Sequence, residues 1–294
     1  DLQGYRLDDA VDYLFADVVI SAGGHVVVAA DLTTFRSNHP AVADVVGPWE
    51  GKLRNSGERI LLLDRDGSKV DEVRFADEGD WAIRARGPND RGHQGWVWIA
   101  NHDGDGKSLE LINPFQTNNN GQNWGSAVTD GGTPGKINSL SSGDIAPIIK
   151  DLKHRPQIPR SDESVTISCE LRDENDLSES VARLFWRVDG SDDFSSLVMD
   201  FDGDDGFFAD IPPQEDGAII EFFVEADDGA NSRSWPAEVS GGGHRANALY
   251  QVDNAFDPVA LTTAGSQSAY YLIMTDEERD ELEDIGTSSS RSES

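Results

Sequence analysis

The chain has 294 residues; 55 are Asp or Glu and 24 are Lys or Arg, so the formal net charge is −31. Such a balance argues against nucleic acid and anionic lipid as partners, because phosphate binding needs clustered Lys and Arg. Hydrophobic residues make up 37% of the chain, which is enough for packed cores and argues against wholesale disorder. The length predicts two or three domains. No apolar stretch is long enough for membrane insertion, and we expect a secreted or cell-surface location, where salt screens the self-repulsion.

Residues 1–140 contain short apolar runs separated by turn residues, which is the pattern of a β-sandwich. The strongest local signal is the Asp66-Gly67 pair between two β-rich runs, because Asp-Gly is a typical hairpin connection. Leu109 and Leu111 alternate and are expected on one face of a strand. No amphipathic helix is predicted here. The predicted strands are Val18–Ile20, His25–Ala30, Gly57–Asp64, Ser68–Phe75 and Lys107–Ile112.

Six strings follow one another in this region: Leu2–Tyr5, Ser21–Gly24, Gly51–Arg59, Asp103–Leu111, Trp124 and Gly131–Asn138. In this order they resemble a lamin tail domain of the bacterial, secreted kind. The resemblance implies an immunoglobulin-like fold, in agreement with the strand pattern. The family has further strands ahead of the Leu2–Tyr5 string, so we expect a fragment that begins inside the domain and exposes a sheet edge.

Two features of this region are candidates for ligand binding. Asp103 and Asp105 lie in an Asp-Gly-Asp-Gly segment that could hold Ca²⁺, although the later ligands of an EF-hand are missing and a solvated turn is favoured. Trp96 and Trp98, close to His93, would face the same side of a strand. An exposed pair could stack on a sugar or a partner. A buried pair would belong to the core, which we favour because large aromatic residues are so often buried.

Residues 144–240 follow a Gly- and Ser-rich linker at Ser139–Gly143 and contain about seven predicted strands, which indicates a second immunoglobulin-like or fibronectin-III-like sandwich. Cys169 is the single cysteine and is expected to be a small buried residue in an alternating strand. The string Ser164–Trp235 resembles the immunoglobulin-like modules that follow lamin tail domains in large bacterial surface proteins. The main predicted strands are Val165–Leu171, Val181–Val188, Ser196–Phe201, Phe207–Ile211 and Ala218–Ala226.

Two acidic clusters in this second module are further candidates for Ca²⁺. Asp202, Asp204 and Asp205 form the first, and Asp227 and Asp228 form the second. Both clusters also contain Gly, and Asp with Gly is what hairpin turns require. The turn interpretation is therefore favoured, and the calcium hypothesis stays open.

Residues 244–294 are expected to form a short mixed α/β segment. Strands are predicted at Ala248–Val252 and Ala269–Met274. Thr275 and Glu278 then form a capping box, with Thr at the N-cap and Glu at N3. The helix predicted after it runs through Leu282 and Ile285 and ends at Gly286, since Gly is a typical helix stop.

Two strings of this segment, Ala248–Val252 and Tyr271–Arg279, resemble the start of the spore coat protein H kinase family. Members of that family are atypical protein kinases of the secretory pathway in spore formers. The resemblance implies the truncated opening of such a domain, and with it a chain cut at both ends. The nucleotide- and metal-binding parts of the family have no counterpart here, so no catalytic residue is carried over.

The sequence has no GxxxxGK[ST] phosphate loop, no HExxH and no GxSxG. We therefore expect no catalytic and no cofactor-binding residue. The first functional hypothesis is a non-catalytic array of binding or spacer modules on a secreted or cell-surface bacterial protein, with a protein or a cell-surface glycan as partner. The second is the adaptor part of a secreted kinase. The third is carbohydrate binding through Trp96 and Trp98.

Overall fold

The computed structural model describes residues 1–90, 94–257 and 271–289, and they form an all-β fold with a short helical segment near the C-terminus, as predicted. The chain divides into two compact units. The first comprises Asp1–Ala85 and Val97–Ile145, and the second comprises Arg86–Trp96 and Ala146–Ser294. Within the described ranges, no helix combines the length and the apolar character that a membrane crossing needs.

The N-terminal half of the chain is built on strands, most of them antiparallel with β3 and β4 parallel, and on one short α-helix. In chain order the elements are β1 (Arg6–Asp9), β2 (Val11–Leu14), β3 (Val27–Val28), α1 (Leu32–Asn38), β4 (Val45–Val46), β5 (Glu50–Gly51), β6 (Glu58–Leu63), β7 (Lys69–Phe75), β8 (Ile83–Arg86), β9 (Trp96–Ile99), β10 (Leu109–Leu111) and β11 (Trp124–Ser126). A five-stranded sheet has the order β5-β2-β1-β6-β7. Two-stranded sheets pair β3 with β4, β8 with β9, and β10 with β11.

The hairpin of β6 and β7 confirms the Asp-Gly prediction. The carboxylate of Asp64 accepts hydrogen bonds from the backbone N–H groups of Asp66 and Ser68, at 2.9 and 2.8 Å. Gly67 has a φ of +82°, which a residue with a Cβ rarely adopts. The pairing shifts register between Leu62 and Leu63, as a β-bulge does. The turn residues thus account for the sharp reversal between these two strands.

The structure departs from the sequence predictions at α1 and at the preceding strand. The predicted strand Val18–Ile20 does not form, and of the predicted strand His25–Ala30 only Val27 and Val28 are a strand. The helix α1 was not predicted, because none of its residues is buried and it has no apolar stripe. It begins instead at a local cap, where the carboxylate of Asp31 accepts the backbone N–H of Thr34 at 2.9 Å.

The second unit is a β-sandwich. Its strands are β12 (Ile148–Arg155), β13 (Val165–Arg172), β14 (Val181–Val188), β15 (Ser195–Val198), β16 (Asp200–Phe201), β17 (Gly206–Ile211), β18 (Ile219–Asp227), β19 (Ser232–Trp235) and β20 (Ala248–Gln251). One sheet has the order β12-β13-β17-β16, and the other has the order β15-β14-β18-β19 with β20 also paired to β18. Alternate residues of both sheets meet in one core, which includes Ile167, Cys169, Leu171, Leu184, Ile211, Ile220, Phe222, Val224 and Tyr250.

The segment Ser195–Phe201 moves from one sheet to the other, although its sequence predicts one continuous strand. β15 pairs with β14, whereas β16 pairs with β17 in the opposite sheet. Met199 lies between them, is 4% exposed, and donates its backbone N–H to Ala182 O at 2.9 Å. This short crossing helps close the edge of the sandwich.

The strand β20 belongs to this sandwich, although the sequence placed it in the C-terminal segment 244–294. It runs antiparallel to the first half of β18, so that Tyr250 lies opposite Ile220. Tyr250 and Val252 are fully buried in the core. This partner strand lies about 30 residues earlier in the chain, which a local pattern does not reveal.

The capping box at the start of the C-terminal helix is confirmed. Thr275 Oγ1 accepts the backbone N–H of Glu278 at 3.3 Å, and Glu278 Oε2 accepts the backbone N–H of Thr275 at 3.1 Å. The helix α2 (Asp276–Ser289) continues past Gly286, so the predicted stop there is wrong. A single glycine costs a helix only about 1 kcal/mol and does not end it. Tyr271–Met274 do not form a strand, and the earlier part of that prediction lies outside the described residues.

Candidate functional site

The first calcium candidates, Asp103 and Asp105, lie in a glycine-rich turn before β10. Gly104 and Gly106 both have positive φ, at +88° and +78°. Lys107 closes the turn by donating its ammonium group to Ala127 O and Val128 O, at 3.0 and 3.3 Å. Within residues 1–90, 94–257 and 271–289, no three His, Cys, Asp or Glu side chains are grouped as a metal site would require.

The second set of calcium candidates is engaged in the turn that connects β16 to β17. Asp202 Oδ1 accepts the backbone N–H groups of Asp204 and Gly206, at 2.9 and 3.1 Å. Asp205 forms an ion pair with Arg172 at 2.6 Å. The geometry is that of a side chain that caps its own turn, as the favoured interpretation holds.

The third acidic cluster ends β18 in the same way. Asp227 Oδ1 accepts the N–H of Gly229 at 2.7 Å. Asp228 Oδ1 accepts the N–H groups of Ala230 and Asn231, both at 2.7 Å. Burial raises the pKa of Asp228, but the hydrogen bonds from Asn231 and Ala230 outweigh it and lower the pKa overall. An ionised carboxylate is therefore part of this turn.

Trp96 and Trp98 both lie on β9, and the favoured assignment to a buried core is wrong for Trp98. Its side chain is 37% exposed, and its two neighbours on the strand, Val97 and Ile99, are 39% and 40% exposed. The guanidinium carbon of Arg84 lies 4.7 Å from the centroid of the Trp98 ring. Arginine stacking on an indole face holds the ring without covering it completely. His93, named with them from the sequence, lies outside the described residues.

Trp98, Asp103 and Asp105, which the sequence singled out separately, line one cleft in the first unit. The cleft has a volume of about 370 Å³. Asp77 and Glu78 add two more carboxylates, and Ile99 and Ala100 complete the wall. The loop that carries the aspartates is tied down by a hydrogen bond of 3.0 Å between His102 Nε2 and Ala76 O. The cleft thus combines an aromatic wall with oxygen acceptors.

Trp96 has a different environment, inside the second unit. The guanidinium carbon of Arg86 lies 4.3 Å from the centroid of its ring. Its indole N–H is directed at α2 and donates to Glu278 Oε1 at 3.2 Å. A ring with one face stacked and its single donor engaged is a poor platform for a sugar. The two tryptophans of the carbohydrate-binding hypothesis therefore differ in what they can bind.

Two buried carboxylates were missed by sequence reasoning. Glu110, between Leu109 and Leu111 on β10, is 3% exposed and accepts the hydroxyl groups of Thr133 and Ser139, each at 2.6 Å. Burial raises its pKa, but those hydroxyl donors and the backbone N–H of Leu140 lower it further, so the net shift is downward. Glu110 joins the two strings Asp103–Leu111 and Gly131–Asn138.

Glu221 is the second buried carboxylate, and it lies on β18. It is 3% exposed and receives two hydrogen bonds from Arg187 and one from Asn247. Beside it, the His244 ring stacks on Phe223 with centroids 3.4 Å apart. Burial lowers the pKa of His244. Among so many acidic residues, nothing in the sequence marks these two.

No protein-family model matches the chain, and a search of curated proteins finds no match. Among solved structures, the cycloalternan-forming enzyme from Listeria monocytogenes in complex with a pentasaccharide substrate is similar to 34% of this chain, at 14% identity and a TM-score of 0.26. The chain spans 9% of the length of that enzyme. Similarity at this level supports no statement about fold or function.

Proposed function

We propose that the chain is a non-catalytic binding and spacer segment of a large secreted or cell-surface bacterial protein. The observation that carries the binding role is Trp98, which is 37% exposed in the wall of the carboxylate-lined cleft of the first unit. A concave site with an aromatic wall and a few polar groups is a typical ligand-binding arrangement. The net charge of −31 and the single buried cysteine fit a surface location.

The ligand class that this cleft fits best is a cell-surface glycan. The apolar face of a sugar ring can stack on Trp98, as apolar rings do on indole. Sugar hydroxyl groups can donate to the carboxylates of Asp103, Asp105 and Asp77, because an ionised carboxylate offers acceptors and no donor. The acidic turns of the second unit would act as spacer surface, because their oxygens already accept backbone N–H groups.

A glycan array tests this proposal with the whole chain and matched variants. Trp98→Ala is expected to weaken glycan binding about tenfold, which corresponds to about 1.4 kcal/mol. Ile83→Ala is the control, because Ile83 is also an exposed apolar residue of the first unit, 53% exposed. Equal binding by wild type and Trp98→Ala, or binding of basic peptides in place of glycans, would refute a glycan role.

A second candidate is the adaptor part of a secreted kinase. It is supported by the string Tyr271–Arg279, whose capping box forms as the sequence predicted. The test is phosphotransfer from labelled ATP to acidic protein acceptors. It compares the native full-length product of the same gene with residues 1–294 alone. Transfer by the long product alone would support the adaptor role, and no transfer by either would leave the spacer role.

A further inference from the structure

Arg86, Gln94 and Trp96 of the second unit present hydrogen-bond donors to the first turns of α2. Arg86 Nη2 lies 2.8 Å from Glu277 Oε1, and Arg86 Nη1 lies 3.6 Å from Glu281 Oε2. The backbone N–H of Gln94 donates to Glu281 Oε1 at 2.7 Å. The indole N–H of Trp96 donates to Glu278. Glu277, Glu278 and Glu281 lie on one side of the helix, and all three accept hydrogen bonds or ion pairs from these residues.

The donors of Arg86, Gln94 and Trp96 are also held by contacts that do not involve α2. Arg86 stacks on the Trp96 ring, so the plane of its guanidinium fork is fixed. Gly87 N donates to Gly95 O at 3.2 Å across the hairpin, and Gln94 Nε2 donates to Gly87 O at the same distance. The guanidinium, the backbone N–H and the indole N–H are all hydrogen-bond donors. Such a set selects anionic oxygens.

The described contacts of helix α2 with the rest of the second unit are polar, and they include a hydrogen bond of 2.7 Å from the backbone N–H of Asp276 to Asp189 Oδ2. Its described side chains are mostly charged, and Leu282 is 56% exposed, so no apolar stripe packs it down. A helix of 14 residues is marginal in water on its own. Its order therefore depends on its N-terminal cap and on polar contacts, of which those with Arg86, Gln94 and Trp96 hold three of its glutamates.

We propose that Arg86, Gln94 and Trp96 form a binding site for an acidic helix, and that α2 is its occupant within the chain. The site recognises glutamates at helix positions i, i+1 and i+4, represented by Glu277, Glu278 and Glu281. Arg86 gives the site a positive charge on a strongly acidic chain. The site therefore attracts acidic segments, whereas most of the surface repels them. This site is separate from the Trp98 cleft and does not depend on a glycan role.

Hydrogen exchange of the intact chain, read by mass spectrometry on peptides that cover residues 276–284, tests the site. Trp96→Phe keeps a ring under Arg86 and removes the N–H donor, so exchange in α2 is expected to rise about fivefold. Arg86→Gln is expected to raise it about tenfold or more, since it removes two ion pairs. Trp98→Phe and Arg84→Gln are the matched controls and should leave α2 unchanged.

A second measurement keeps the proposal testable if a variant folds poorly. In the triple variant Glu277→Gln, Glu278→Gln and Glu281→Gln the site is emptied of carboxylates but Arg86 and Trp96 are retained. A synthetic peptide of residues 271–289 is then titrated into this variant by calorimetry, beside a peptide with the same three Gln substitutions. Binding of the acidic peptide alone, weakened by salt, supports the site. The proposal is overturned if both peptides bind with the same affinity. It is also overturned if hydrogen exchange in α2 is unchanged in Trp96→Phe and Arg86→Gln while exchange in strands β12 to β18 shows that both variants are folded.

Discussion

The carboxylate of Glu221 accepts two parallel hydrogen bonds from the guanidinium of Arg187, at 3.0 and 3.1 Å. The carboxylate is almost completely buried. Without Arg187, its described hydrogen-bond donor would be the side-chain amide of Asn247. We expect Arg187→Met to lower the free energy of unfolding by about 3 kcal/mol, because it leaves a buried charge without its counterion. Adding Glu221→Gln should recover part of the loss, since the charge is then gone.

Urea unfolding of the two variants checks this expectation. The control is Arg172→Met, which removes the ion pair with Asp205. The Arg172 side chain is 49% exposed, so the loss should stay within about 1 kcal/mol. If Arg187→Met and Arg172→Met cost the same, the buried pair has no special role.

The buried carboxylate of Glu110 is expected to make the stability of the protein depend on pH. Its folded-state pKa is lowered below the ordinary value of 4.5, so its contribution is present above that value and is lost as the pH falls through the folded pKa. Glu110→Gln should therefore cost about 1–3 kcal/mol at neutral pH, where one oxygen acceptor is replaced by a donor. The difference between wild type and variant should shrink in acid. Denaturation at neutral pH and at about pH 3 checks it.

The control for that experiment is Glu50→Gln, since Glu50 is exposed at the edge strand β5. It should change stability little at either pH. A cost of Glu110→Gln that stayed constant on acidification would mean that the hydroxyl donors of Thr133 and Ser139 do not depend on the ionised form.

Cys169 is predicted to be unreactive in the folded protein. It is 3% exposed, and burial raises the pKa of its thiol to about 12, so the nucleophilic thiolate is scarce at neutral pH. A thiol reagent should modify it only after unfolding in guanidinium. Ser196→Cys supplies an exposed thiol on β15 as the comparison and should react at once. Comparable rates for the two thiols in native protein would show that the sandwich opens readily.

Asp202 distinguishes a turn from a calcium site. Because its carboxylate caps the backbone of its own turn, Asp202→Ala should destabilise the second unit by about 1 kcal/mol with or without calcium. Asp202→Asn keeps an oxygen acceptor and should cost less. Melting temperatures in millimolar CaCl₂ and in EDTA check this. A rise of several degrees with calcium, abolished by Asp202→Asn, would establish an ion site instead.

Features with short-range causes could be predicted from the sequence. The hairpin around Gly67, the alternating strand that buries Cys169 and the capping box of Thr275 and Glu278 each depend on residues within a few positions. Only part of the candidate site could be predicted from the sequence. Trp98 and Asp103 were both named, but their meeting in one cleft requires the loop held by His102.

The features that escaped prediction depend on partners far along the chain. Glu110 is buried because Thr133 and Ser139 return to it more than twenty residues later. Glu221 lies opposite Arg187, 34 residues earlier. With 55 acidic residues, composition gives no reason to single out either one. Tertiary pairing, not local pattern, decides which carboxylates leave water.

The edge of β18 has a practical consequence for dissecting this chain. β19 pairs with the second half of β18 and β20 with the first half, so two short strands share one long edge. A recombinant second unit that stopped at residue 240 would lack β20 and uncover the backbone of Ile219–Phe222. An unpaired apolar edge of this kind recruits strands from other molecules. Expression boundaries placed after Val252 would keep this edge paired, whereas earlier boundaries are expected to promote aggregation.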